Sequence, residues 1–233
     1  MRLWNLIRTA SPTANWLATL SLLLLVVKIF GLNRIPSTIE GVYELGVIFE
    51  AILASVIASY VFYLIVVHIQ ERSDRDALQP YIAKQAQRIV RECVSQLGHI
   101  ATESGVVLSF DRLTESDVKA ALTKIDPNGE APLVARTASG IVYTTWLRYF
   151  AFHNERTAVS IQKLLAQLRF LDADLVRLVM DVDDCSHFTV ISHLSNQQLN
   201  NKDMSTFSDG FYEYCQTCQR LHAYLIAIGM STK

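Results

Sequence analysis

Residues 42–69 read Val-Tyr-Glu-Leu-Gly-Val-Ile-Phe-Glu-Ala-Ile-Leu-Ala-Ser-Val-Ile-Ala-Ser-Tyr-Val-Phe-Tyr-Leu-Ile-Val-Val-His-Ile, and no proline, lysine or arginine interrupts them. At about 1.5 Å per residue this run makes a helix of roughly 42 Å. A bilayer core needs only about 20 such residues. Water-soluble core helices are rarely this long and this apolar, so the stretch is expected to span a membrane. Two acids break it, Glu44 and Glu50. An ionisable group at membrane depth is costly and points to function. Glu50, Ala54 and Ala58 are spaced by four and fall on one helix face. Small residues at that spacing let a second helix come close. These three are the expected pore or oligomer face.

A second apolar run, Ala14 to Leu32, precedes the first and is bracketed at its entry by Trp4 and Trp16. A basic start and an apolar middle also describe a signal peptide. This run is longer than a usual signal core, however, and no small-x-small cleavage site follows it. It is read as a transmembrane helix. The link 33–41 is short and carries Pro36, which predicts an antiparallel hairpin over residues 1–71, with helices at about 14–32 and 42–69. Arg2 and Arg8 precede it, Arg72, Arg75, Lys84, Arg88 and Arg91 follow it, and the link carries only Arg34. The cation asymmetry places both termini in the cytoplasm. In that topology Lys28 and Glu44 each lie about one turn inside the outer membrane face. They are expected to form a polar pair. Glu50 lies roughly 9 Å deeper, with no cation level with it in one chain and Ser21 of the first helix as an alternative hydrogen-bond partner.

Residues 72–233 are expected to form a cytoplasmic α-helical domain, making the chain as a whole all-α. Tyr81, Ile82, Ala86, Ile89, Val90, Cys93, Val94 and Leu97 recur at helical spacing. Pro80 marks a kink or a start, and Gly98 a stop. Thr114-Glu-Ser-Asp117 fits a capping box, and Asp126-Pro-Asn-Gly-Glu130 is a turn. A long helical pattern is read from about Thr137 to Phe170. Asp172 caps a helix over 173–182, Asp183 or Asp184 another to Leu194, and Ser205 to Gly229 closes the chain. From Gln70 onward there are 17 Lys and Arg against 19 Asp and Glu. That balance gives no basic surface, so direct nucleic-acid binding is not expected.

Cys215, Cys218 and His222 share a helix face, and Cys185 or His187 could supply the fourth ligand that zinc wants. Without a second cysteine pair at knuckle spacing, buried core residues are the better reading, and no metal or cofactor is expected. Asp181, Asp183 and Asp184 lack the glycine-centred loop that calcium needs. The sequence holds no phosphate-binding glycine loop, no zinc-protease motif and no nucleophile elbow. No catalytic residue is assigned.

Residues 59–69 followed by Gln-Glu-Arg, and Phe170-Leu-Asp-Ala-Asp-Leu-Val-Arg-Leu-Val179 with its acidic end, resemble a pattern in bacterial proteins with two membrane helices and a helical cytoplasmic tail. Some proteins of that kind are membrane effectors in anti-phage systems, retron systems among them, held in check by a partner complex until infection. The resemblance implies an inner-membrane, non-enzymatic effector that disrupts membrane integrity on release. Its partners would be the lipid bilayer, further copies of itself and a cytoplasmic protein or ribonucleoprotein regulator. The alternative is a membrane-anchored adaptor or sensor whose tail binds a cytoplasmic partner. A reporter fused after Lys233 is expected to be active only if it is of the cytoplasmic type. Activity of a periplasmic reporter there would overturn the hairpin or its orientation.

Overall fold

The computed structural model describes residues 10–31, 42–137, 140–195 and 197–230. Arg2, Trp4, Arg8, Arg34, Lys233 and the expected link 33–41 lie outside the described residues. The chain is mostly helical with one two-stranded sheet, and it divides into two compact units, Met1–Ala77 and Leu78–Lys233.

In the first unit, α1 (Pro12–Phe30) and α2 (Val42–Phe62) pack against each other. Proline at the first helical position explains the start of α1, because its missing N–H would have had no partner there. Beyond α2 the backbone widens into a π-helical turn, Tyr63–His68, in which Ile69 N–H donates to the Leu64 carbonyl. Two helical stretches, α1 and the one containing α2, are long and apolar enough to cross a membrane. Their large side chains face outward: Trp16, Leu23, Phe30, Leu45, Ile48 and Phe62 are all exposed. A surface this apolar is rarely left bare to water.

The second unit consists of helices packed around one apolar core. α3 (Ile69–Ser104) buries Ile82, Ala86, Ile89, Cys93, Leu97 and Ile100, the three- and four-residue spacing that faces one side of a helix. α4 (Glu115–Leu122) is capped as expected, with the Thr114 hydroxyl accepting from Asp117 N–H. α5 (Trp146–Leu165), α6 (Ala173–Asp183), α7 (Ser186–Leu194) and α8 (Ser208–Ala227) complete it. α8 packs on α4, α6 and α7, while α5 packs on α6, α7 and both strands. Asp172 caps α6 through Leu175 N–H at 2.8 Å. Rings fill the centre: Phe150 meets Phe211 edge-on at 5.5 Å, and His187 stacks on Tyr214 at 5.5 Å.

Three departures from the sequence reading have physical reasons. The expected helix from Thr137 begins only at Trp146. Before it, β1 (Glu130–Thr137) and β2 (Gly140–Thr145) pair antiparallel, so the chain is not wholly α-helical. Ile141-Val142-Tyr143-Thr144-Thr145 is rich in β-branched and aromatic residues. Yet Val134, Ile141, Val142 and Tyr143 are all exposed, so burial left no period-two alternation to read. The register breaks between Ala131 and Val134, around Pro132, which has no N–H for a ladder bond. Second, α3 does not stop at Gly98. Burial of Leu97 and Ile100 carries it on to Ser104, and it ends at Gly105, whose φ of 66° is the left-handed cap. Third, α7 is preceded by Cys185, not by an aspartate cap.

Burial pushes the His187 imidazole down to about 3, so it is neutral in the folded core. An unfolded histidine titrates near 6.5. Between those values the unfolded chain binds a proton that the folded chain refuses, so stability falls as pH falls through that window. The slope approaches about 1.4 kcal/mol per pH unit. His99, also lowered by burial, acts in the same direction. Thermal unfolding of the whole chain in detergent is therefore expected to shift several degrees lower from pH 7 to pH 5. His187→Leu should remove most of that shift; an equally steep variant would show that the imidazole is not its source.

Candidate functional site

The polar residues between α1 and α2 form the first unit's distinctive site. Lys28, in the last turn of α1, is 8% exposed and forms an ion pair with Glu50. Near the other end, Tyr60 Oη donates to Asn15 Oδ1. Because Lys28 meets Glu50 while Asn15 meets Tyr60, the two helices run antiparallel.

The expected pair Lys28–Glu44 is not what the structure contains. Glu44 is exposed, with no ion-pair partner among the described residues, and Lys28 reaches past it to the deeper acid. Two properties permit this. The ammonium sits on a flexible four-carbon stem, so its depth is not that of its backbone. Gly46 also lies one turn before Glu50, and a Cβ there would stand 3.5 Å from Lys28 Cε. The stem crosses directly over the glycine, where a side chain longer than a methyl would block it. Ser21, the other expected partner of Glu50, is buried in the same unit.

The face of α2 that carries Glu50 is continued by Gly46, Leu53, Ile57 and Tyr60, spaced by fours and threes and at least partly buried. Ala54 and Ala58 drift off this face and are exposed. A spacing of four advances 40° per step beyond a full turn, so two steps suffice to separate Ala58 from Glu50. Away from Ala54 and Ala58, on the other flank of that face, Ser59, Tyr60 and Tyr63 border a groove of about 240 Å³ with Ala14, Leu17 and Ala18. The side chain of Glu50 remains 39% exposed at the edge of the helix pair.

The second unit holds a polar cluster that the sequence did not disclose. Glu92, on α3, is buried and meets His153 Nδ1 at 2.7 Å and Arg156 at 2.8 Å, both on α5. Burial alone would raise the Glu92 carboxyl. The His153 hydrogen bond, with Arg156 and Arg88 nearby, outweighs it and holds the group below the usual carboxylate range. His99 Nδ1 and Tyr149 Oη, 2.6 Å apart, add a second tie between the same helices. Glu92 and His153 are 61 positions apart, and no spacing in the sequence links them. A buried acid bonded to a histidine and an arginine locks two helices in register. Removing one partner would leave an uncompensated charge.

All four cysteines are buried. Cys93 Sγ lies 3.6 Å from Cys215 Sγ, while His222 turns to the ring of Phe110. Burial pushes the Cys93 and Cys218 thiols well up and Cys185 to about 12, which disfavours the thiolate that a metal needs. Among the described residues no group of three or more His, Cys, Asp or Glu is placed to hold a metal ion. Of the acidic cluster, Asp181 faces Arg220 at 3.6 Å, and Asp183 and Asp184 are exposed at the end of α6.

The chain matches no protein-family model, no curated protein and no solved structure. Its function is therefore argued from its own residues. Replacing Cys215 and Cys218 together by Ala is expected to lower stability by about 1–3 kcal/mol through lost packing, with helicity retained. The wild type should melt identically with and without EDTA. A chelator-induced loss of helicity restored by zinc would overturn the reading of these thiols as core.

Proposed function

We propose that this protein is a bacterial inner-membrane effector of an anti-phage system, non-enzymatic, which disrupts membrane integrity when a cytoplasmic protein or ribonucleoprotein partner releases it. In this reading α1 and α2 are a transmembrane hairpin with both termini cytoplasmic, and residues 72–233 receive the signal. The observation that carries it is the Lys28–Glu50 pair, placed between two helices whose other faces are apolar and exposed. A simple anchor needs no charges at that depth, where each is costly. The pair neutralises Glu50 within one chain, so a resting hairpin leaks nothing. When several hairpins assemble through the flank of Ala54 and Ala58, Glu50 turns from Lys28 to the shared axis. A ring of carboxylates there favours cations and water.

The same pair supports a second reading. An acid that is already matched can serve as a pin between two tether helices, with the tail acting as an adaptor or sensor for a cytoplasmic partner. The two readings part on charge variants. Under the effector reading, Glu50→Gln keeps size and hydrogen bonding and abolishes most of the membrane depolarisation seen on expression. Lys28→Gln frees the acid and increases it, and Glu44→Gln changes it little. Dye-reported membrane potential at matched membrane levels measures all three. Equal depolarisation by wild type and Glu50→Gln would falsify the conducting role, and no depolarisation by an unrestrained wild type selects the tether.

A further inference from the structure

We propose that the groove between α5 and α7 binds an extended peptide segment bearing a lysine or arginine, presented by a partner protein. The groove encloses about 470 Å³, within the range of ordinary ligand sites. Ala151 and Ala158 on α5 and Phe188 on α7 give it a small and partly apolar wall. Asn154 lies between the two alanines and is only 7% exposed, and neither Nδ2 nor Oδ1 of its carboxamide has a hydrogen-bond partner. A buried amide with both groups unpaired destabilises a fold that leucine at the same place would not. Thr157 and Ser160 on the same helix are satisfied, bonding the His153 and Arg156 carbonyls, and Arg156 leaves only its Nε unpaired while another of its nitrogens holds Glu92. Both carboxamide atoms lie beneath the groove surface, and a rotation of the side chain toward the groove would let a ligand satisfy them.

A carboxamide presents a donor and an acceptor side by side. Its complement is an acceptor and a donor with the same spacing. The C=O and N–H of one residue in an extended chain point to the same side and supply that pair, as they do across an antiparallel ladder. An adenine edge offers a similar pair, but Glu155 and Asp183 also line the groove and are exposed. Two carboxylates repel a nucleotide's phosphates and attract an ammonium or guanidinium. The backbone match and the charge together select a basic peptide. This site stands apart from the conducting role proposed for Glu50, and its test reads binding alone, so either can fail without the other.

The test titrates the whole chain in detergent, labelled with ¹⁵N-asparagine, with capped peptides, following the Asn154 side-chain amide by NMR. The probes are acetyl-Ala-Ala-Lys-Ala-Ala-amide, its glutamate counterpart, its counterpart N-methylated at the lysine backbone nitrogen, and n-butylamine, a lysine side chain without a backbone. The lysine peptide is expected to shift the Asn154 amide, with the other three probes roughly tenfold weaker, the loss that follows from one missing or repelled polar contact. Asn154→Leu, which lacks the reporting amide and is followed by fluorescence anisotropy of the dye-labelled lysine peptide, should abolish binding while leaving the melting temperature unchanged or raised. Glu155→Gln with Asp183→Asn, both at exposed positions, should weaken it about fivefold by removing the exposed charge pairing. That variant tests the site even if the core substitution fails to fold. n-Butylamine or the N-methylated peptide binding as tightly as the lysine peptide overturns the proposal, as does undiminished binding by Asn154→Leu or no binding of the lysine peptide.

Discussion

The ammonium of Lys28 resting on the carboxylate of Glu50 governs what the first unit can be. Each charge is costly alone among apolar side chains, and paired they offset that cost. Their meeting sets the level at which α1 stands against α2, and Asn15 with Tyr60 fixes the same register from the other end. Between the two ties α2 turns Leu53 and Ile57 inward, aliphatic groups that pack without directional bonds and determine little by themselves. The outward faces carry leucine, isoleucine, valine and phenylalanine without pattern. Such faces tolerate sliding and rotation equally well, so the polar contacts carry nearly all the specificity of the pair.

Much of the architecture was legible because it rests on local chemistry. The length of the apolar runs, the Thr114 and Asp172 caps and the closing helix α8 are each written within a few neighbouring residues, and each has its expected place in the structure. What escaped is what depends on distant contacts. Burial of Leu97 and Ile100 overrode the glycine at position 98. The β1–β2 ribbon escaped for the opposite reason, since too little of it is buried to impose alternation on its sequence.

The site was readable in composition and misread in pairing. Lys28, Glu44 and Glu50 stand out in any inspection of the apolar runs, but depth measured along a backbone does not say where a lysine's charge ends up. Gly46 was the signal. Its position one turn before Glu50 marks the place where a long side chain can cross the helix. The Glu92–His153–Arg156 cluster had no comparable mark. Its members lie on helices whose other residues are ordinary amphipathic ones, and only the packing of α3 on α5 brings them together.

The burial of Cys93, Cys185, Cys215 and Cys218 has a further consequence. A thiol reacts with an alkylating reagent only as an accessible thiolate, and the packed core denies the reagent access while holding Cys93, Cys185 and Cys218 protonated. The native thiols are thus silent in the closed molecule. Any modification of them must wait for the helices to part, so the rate at which reagent is consumed becomes a clock for transient opening of the core. The same silence leaves the surface chemically blank, and a single cysteine introduced there would carry a probe with no competing signal from the interior.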